Sequence, residues 1–101
     1  MNKILSENIN TIVKYCKKYK VKELYAVGSV VTDNFTDKSD VDLLIKFNEI
    51  TIEKYTDNYF TLHKLFEKIF KRKIDLITDK SLSNPFFIKT IEKNKQLLYA
   101  G

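Results

Sequence analysis

The chain has 101 residues, of which 44% are apolar and 13% aromatic, enough for a folded core and too many for a disordered tail. Its net charge of +5 comes from 18 Lys and Arg against 13 Asp and Glu, with Arg72 the only arginine and Lys71-Arg72-Lys73 the only tight basic cluster. Aromatics do not interleave with the basic residues, so a nucleic-acid platform is disfavoured; no run reaches the ~20 apolar residues of a membrane span, and no signal-peptide pattern opens the chain.

Leu5, Ile9, Ile12, Val13 and Cys16 follow helical spacing, which predicts an amphipathic helix over roughly 6 to 19. Cys16 is the single cysteine; it forbids an internal disulfide, points to a cytoplasmic setting and reads as a buried thiol on the helix stripe. KELYAV, 22 to 27, is a short buried strand ending at Gly28, and SVVTDNF opens a short helix or turn. SDVDLLIKF is the second strand. Leu62, Leu65, Phe66, Ile69 and Phe70 mark a long helix over roughly 55 to 71. His63 beside that stripe reads as half-buried or partner-facing, and Tyr55, Tyr59 and Phe60 as core packing rather than partner surface. KIDLIT, 73 to 78, is a third strand with Asp75 at its centre. Asn84-Pro85 starts a helix, with Asn as N-cap and Pro in the first helical position, running to about Lys93. QLLYA closes the chain as an extended segment. Residues 1–101 are expected to form one α/β (α+β) domain, a small mixed sheet of three to four strands covered by helices.

Three features carry chemistry. Gly28-Ser29 ends a strand and begins a turn, where glycine lets the backbone approach a ligand and Ser29 adds a hydroxyl donor. Asp40 and Asp42 flank Val41, and alternate residues of a strand share a face. Two carboxylates about 7 Å apart repel by roughly 2 kcal/mol at an effective dielectric of ~20. Asp75 is a third acid, between Ile74 and Leu76, and is costly at a strand centre if buried. If the strands are neighbours, three carboxylates meet, and a hard divalent cation such as Mg²⁺ suits such oxygen ligands. Structural alternatives stay open: Asp40 as a turn residue, Asp42 paired with a lysine, Asp75 paired with Lys73 or Arg72.

The run Gly28-Ser29, ten residues, Asp40-Val41-Asp42, then a third acid in IDL, resembles the nucleotidyltransferase superfamily of DNA polymerase beta type. More narrowly, it is similar to the minimal nucleotidyltransferases, often encoded beside a HEPN-domain partner as toxin–antitoxin pairs. The resemblance implies a polymerase-beta-like fold and two Mg²⁺ ions, with Asp40, Asp42 and Asp75 as catalytic and metal-holding residues. It implies ATP as substrate, its phosphates held by Gly28 and Ser29, with Ser39 either touching a phosphate or capping the aspartate loop. It further implies transfer of AMP to a hydroxyl of a HEPN ribonuclease toxin, with a hetero-oligomer as one form open to the pair and no membrane involved. The family's larger members carry a second domain for the acceptor, so a partner is expected to supply it here. Relatives commonly carry arginine after Gly-Ser, where this chain has Val30-Val31; that grip on a phosphate is absent or passed to a lysine. The alternatives are an antitoxin that neutralises its partner by binding alone, or transfer to RNA or a small molecule.

Overall fold

The computed structural model describes all residues, Met1–Gly101. Four strands, β1 (Val21–Val27), β2 (Val41–Phe47), β3 (Ile74–Thr78) and β4 (Gln96–Ala100), pair in the order β3-β2-β1-β4. β1 runs antiparallel to both β2 and β4, whereas β2 and β3 are parallel. The closing QLLYA segment is therefore a sheet member and completes a four-stranded mixed sheet.

Strand alternation divides the apolar residues between two faces. Leu24, Ala26, Val41, Leu43, Ile45, Ile74 and Leu76 lie in the main core with Leu5, Ile12, Cys16, Leu62, Phe66 and Phe70. Those last six come from α1 (Lys3–Ser6), α2 (Ile9–Lys18) and α3 (Ile52–Phe70), so these helices cover one face. The opposite face holds a smaller cluster, Val27 and Leu44 against Ile91 of α4 (Pro85–Asn94), with Ile77 and Leu82 beside it. A ten-residue helix is the main cover of that second face, and Asp42 and Asp75 share its parity.

The N-terminal stripe is split into two helices rather than one over 6 to 19. Asn8 leaves helical geometry (φ −111°, ψ 5°) and its side-chain amide donates to the Ile4 carbonyl at 2.8 Å, closing α1. Leu5 still reaches the core from the shorter helix. The α4 start is as the sequence implies: Asn84 accepts from the backbone N–H of Phe86 and Phe87, with Pro85 at the first position.

The outer edge of β3 is occupied by side chains. The Tyr59 hydroxyl donates to the Leu76 carbonyl at 2.7 Å, and His63 Nε2 bonds the Ile74 carbonyl at 3.0 Å. His63 Nδ1 stands 3.1 Å from Glu67. His63 is thus a half-buried tether between α3 and β3. Tyr55 and Tyr59 pack against the core, while Phe60 is exposed. Cys16 is fully buried, and burial pushes its thiol up to about 12, far from a reactive thiolate.

Candidate active site

The end of β1 meets the starts of β2 and β3 on the thinly covered face. In register, Asp42 lies opposite Val27 of β1 on one side and Asp75 of β3 on the other. Residues paired across adjacent strands point to the same face, so the two carboxylates stand side by side. Desolvation, then the charge of Asp75, then that of Asp40 raise the Asp42 pKa above the ordinary carboxylate value. The chain's ion pairs are Lys3–Glu7, His63–Glu67 and Lys95–Glu92; none of the three site acids is compensated by a cation.

One expectation needs correction, and one condition is settled. Asp40 lies before β2, which begins at Val41, and is exposed at the end of the preceding loop. Asp75 is exposed, and its strand lies at the sheet edge, so the burial cost that a strand centre could carry is small here. Asp40 thus takes the loop position that its turn alternative described, whereas Asp42 pairs with no lysine and Asp75 with neither Lys73 nor Arg72. Arg72 instead spans to that loop, its guanidinium donating from one nitrogen to the carbonyls of Thr36 (3.2 Å) and Ser39 (3.0 Å) and resting 4.8 Å from the Phe35 ring centre. Ser39 closes the same loop: its hydroxyl oxygen accepts from the Thr36 N–H at 2.9 Å. These contacts hold the loop that leads into Asp40.

Gly28 is required by two independent facts. Its φ is +73°, a region costly for residues with a Cβ, and an added Cβ would collide with the Asp42 carboxylate. The backbone after β1 therefore lies directly on a site carboxylate. Gly28 to Val31 forms one 3₁₀ turn, closed by Thr32 donating to the Ser29 carbonyl through both its N–H and its hydroxyl. Val30 of this turn is buried in the main core, so the position after Gly-Ser is used for packing.

Gly28, Asp42 and Asp75 line one cleft of about 240 Å³ with Val27, Thr32, Ile77 and, from α4, Phe87, Thr90, Ile91 and Asn94. Ser29, Ser39 and Asp40 lie outside its lining, and no lysine takes the place of the missing arginine there. The α4 residues were not legible as site residues. A signal existed in Phe86-Phe87: adjacent helical residues point about 100° apart, so two neighbouring phenylalanines do not both follow a narrow core stripe.

A divalent cation fits the chemistry of this donor set, because the hard carboxylate oxygens of Asp42 have Asp75 and Asp40 nearby and no positive partner, and burial together with those two charges raises the proton affinity of Asp42. As they stand, no three acidic, histidine or cysteine side chains converge to ligating positions. Asp40 and Asp75 both reach solvent, so their carboxylates are accessible to an incoming ion.

Comparison with known proteins gives consistent matches. Residues 9–98 match the family model described as nucleotidyltransferase domain. A protein of Methanocaldococcus jannaschii, provisionally named a protein adenylyltransferase, is 38% identical over 96 residues, covering 91% of this chain and 95% of its own length. A second protein of that organism with the same provisional name is 35% identical over 97 residues, with the same coverages. Among solved structures, a toxin–antitoxin complex with AMP-PNP superposes with a TM-score of 0.72 at 18% identity, over 93% of this chain and 74% of that one. A Shewanella oneidensis complex of a tri-AMPylated HEPN toxin with its MNT antitoxin gives 0.67 at 16% identity, over 96% and 73%. At these identities the structures show the fold alone.

Proposed function

We propose that this chain, which belongs to the nucleotidyltransferase domain family, transfers AMP from ATP to a hydroxyl group of a partner protein; its Methanocaldococcus relatives carry the provisional name of protein adenylyltransferase. The observation that carries the proposal is the cleft itself: Gly28, Asp42 and Asp75 share one lining on the thinly covered sheet face. The HEPN toxin of the structural neighbours is the partner class proposed.

Asp40 and Asp42 would hold a Mg²⁺ accompanying the triphosphate, and Asp75 with them a second. When bound, the ions neutralise charge on the attacking and leaving oxygens of an in-line displacement. Gly28 admits the phosphates close to the backbone, and Ser29 offers its hydroxyl to them. The acceptor oxygen bonds to the α-phosphorus, the bond from that phosphorus to the bridging oxygen breaks, and pyrophosphate departs. Asp75, exposed at the sheet edge, faces the side from which an acceptor hydroxyl approaches, and its proton leaves toward solvent there. With no lysine or arginine lining the cleft, the triphosphate charge falls to the metal and to polar groups.

The test is incubation of wild type and Asp75→Asn with labelled ATP, Mg²⁺ and a HEPN-type partner. Wild type should add one AMP to the partner. Asp75→Asn should fail to transfer, yet retain ATP·Mg²⁺ and partner binding, because Asp40 and Asp42 remain for the nucleotide-bound ion. If Asp75→Asn protects cells from the partner as fully as wild type does, neutralisation is by binding alone, a reading that the packing role of Val30 favours.

A further inference from the structure

Phe87 is the large aromatic residue of the cleft, and the core does not need it. It is 45% exposed and absent from both buried clusters, yet it lines the same space as Asp42 and Asp75. Its neighbour Phe86, at 83% exposure, stays outside the lining. Phe87, Thr90, Ile91 and Asn94 recur at three- and four-residue steps, so α4 turns one continuous face to the cleft. That face runs about 10 Å from Phe87 to Asn94 at 1.5 Å per residue.

The two ends of this face are unlike. Asn94 ends α4, two residues before Gln96, which pairs with Ala26 beside the Val27-Gly28 corner. Phe87 lies at the far end, in the first turn. Ile77 of β3, two residues from Asp75 on the same sheet face, is half-buried and lines the floor. The cleft therefore passes from a polar corner at Gly28, Thr32 and Asn94, past the carboxylates, to an apolar end at Ile77 and Phe87.

We infer that Phe87 is the stacking platform for the nucleobase, with Ile77 beneath the base and the ribose laid along Thr90 toward Asn94. This rests on the nucleotidyl-transfer reading above and adds to it where the nucleoside lies. An aromatic face is the matching surface for a flat heteroaromatic base. The cleft volume of about 240 Å³ lies below the ~300–1,000 Å³ of drug-sized pockets, which suits a nucleoside fragment and leaves the outer phosphates on the open Gly28-Ser29 turn. The Thr90 hydroxyl donates to the Phe86 carbonyl at 2.9 Å, so it meets a ligand as an acceptor. The Asn94 side-chain amide makes no hydrogen bond within the chain and offers both a donor and an acceptor. Stacking on a ring is tolerant of base identity because every base has a π-face. The platform accordingly gives affinity for nucleosides in general, and base preference must come from polar contacts.

The experiment is titration calorimetry with Mg²⁺ and two ligands, a non-hydrolysable ATP analogue and inorganic triphosphate, on wild type, Phe87→Ala and Phe87→Trp. Loss of one base–aromatic stack is expected to weaken the ATP analogue roughly 10- to 100-fold in Phe87→Ala, with triphosphate affinity unchanged and Phe87→Trp restoring the analogue. Unchanged affinity for the analogue in Phe87→Ala overturns the assignment. So does an equal loss for both ligands, which marks a structural role, and circular dichroism would show whether α4 has been perturbed. If wild type binds triphosphate but gains nothing from the nucleoside, the platform is absent while the phosphate site stands. If wild type binds neither ligand, the nucleotide reading itself fails, and this inference falls with it.

Discussion

Replacing Asp42 by Asn should stabilise the metal-free protein while abolishing transfer. Asp42 stands beside Asp75 on neighbouring parallel strands, with Asp40 approaching from the loop, and no cation compensates them. At the ~4.8 Å spacing of paired strands, two unit charges repel by about 1 kcal/mol in a water-like dielectric and about 3 kcal/mol at an effective value of 20. Asp75 is exposed, so the lower figure governs, and Asn keeps the shape while removing the charge. Urea denaturation in chelator at pH 7 should therefore show a gain of about 1 kcal/mol, or about 4–8 °C in Tm for a domain of this size. The gain depends on pH with a defined sign. The folded protein holds the Asp42 carboxyl above its ordinary value, so folding favours the protonated form. The wild-type penalty is present above that raised value, shrinks as pH falls through it, and vanishes below the ordinary carboxylate range near 4. The difference between variant and wild type should close over that window. Added Mg²⁺ should then stabilise wild type by mass action and leave Asp42→Asn unchanged. A variant less stable than wild type in chelator at pH 7, or a gap that persists undiminished to pH 3, refutes the repulsion argument.

Gly28→Ala places a Cβ against the Asp42 carboxylate at a positive φ, and should cost about 1–3 kcal/mol in stability together with Mg²⁺ affinity, both read by calorimetry. In the Asp42→Ala background the collision is gone, and the cost should fall to the backbone component alone. Arg72→Lys loses the guanidinium bridge to Thr36 and Ser39, a loss of about 1–2 kcal/mol. Amide exchange at Thr36 and Ser39, whose N–H groups bond within the same turn, should accelerate, whereas exchange within β2 should stay near wild type.

The residues that reveal the fold in the sequence are those whose constraint is local. Asn84-Pro85 satisfies helix-start chemistry by itself, and the strand bearing Asp42 is marked by its aliphatic run. Asn8 broke the first helix because its amide found the Ile4 carbonyl, a choice that helical periodicity does not encode. For the site, Gly28, Asp42 and Asp75 were legible because their types conflict with an apolar strand or require a special backbone. The exposure of Asp75 follows from strand order, with β3 at the edge, which its aliphatic neighbours do not encode. The α4 contribution was hidden for a similar reason. Phe87 resembles any core phenylalanine until the sheet face beneath it is known to carry the acids.

The edge of β3 bears on association as well as on chemistry. A strand edge in a protein that meets other chains is a template for β-addition and, unchecked, for aggregation. Here the outward carbonyls of Ile74 and Leu76 are held by His63 and Tyr59, side chains that reach across from α3 and leave an incoming strand two fewer acceptors. The strand that carries Asp75 is thus guarded against extension of the sheet, while the face that carries its carboxylate stays open. A chain docking here would have to lay a side chain over the sheet rather than a backbone beside it, the geometry that the proposed transfer to a single hydroxyl requires.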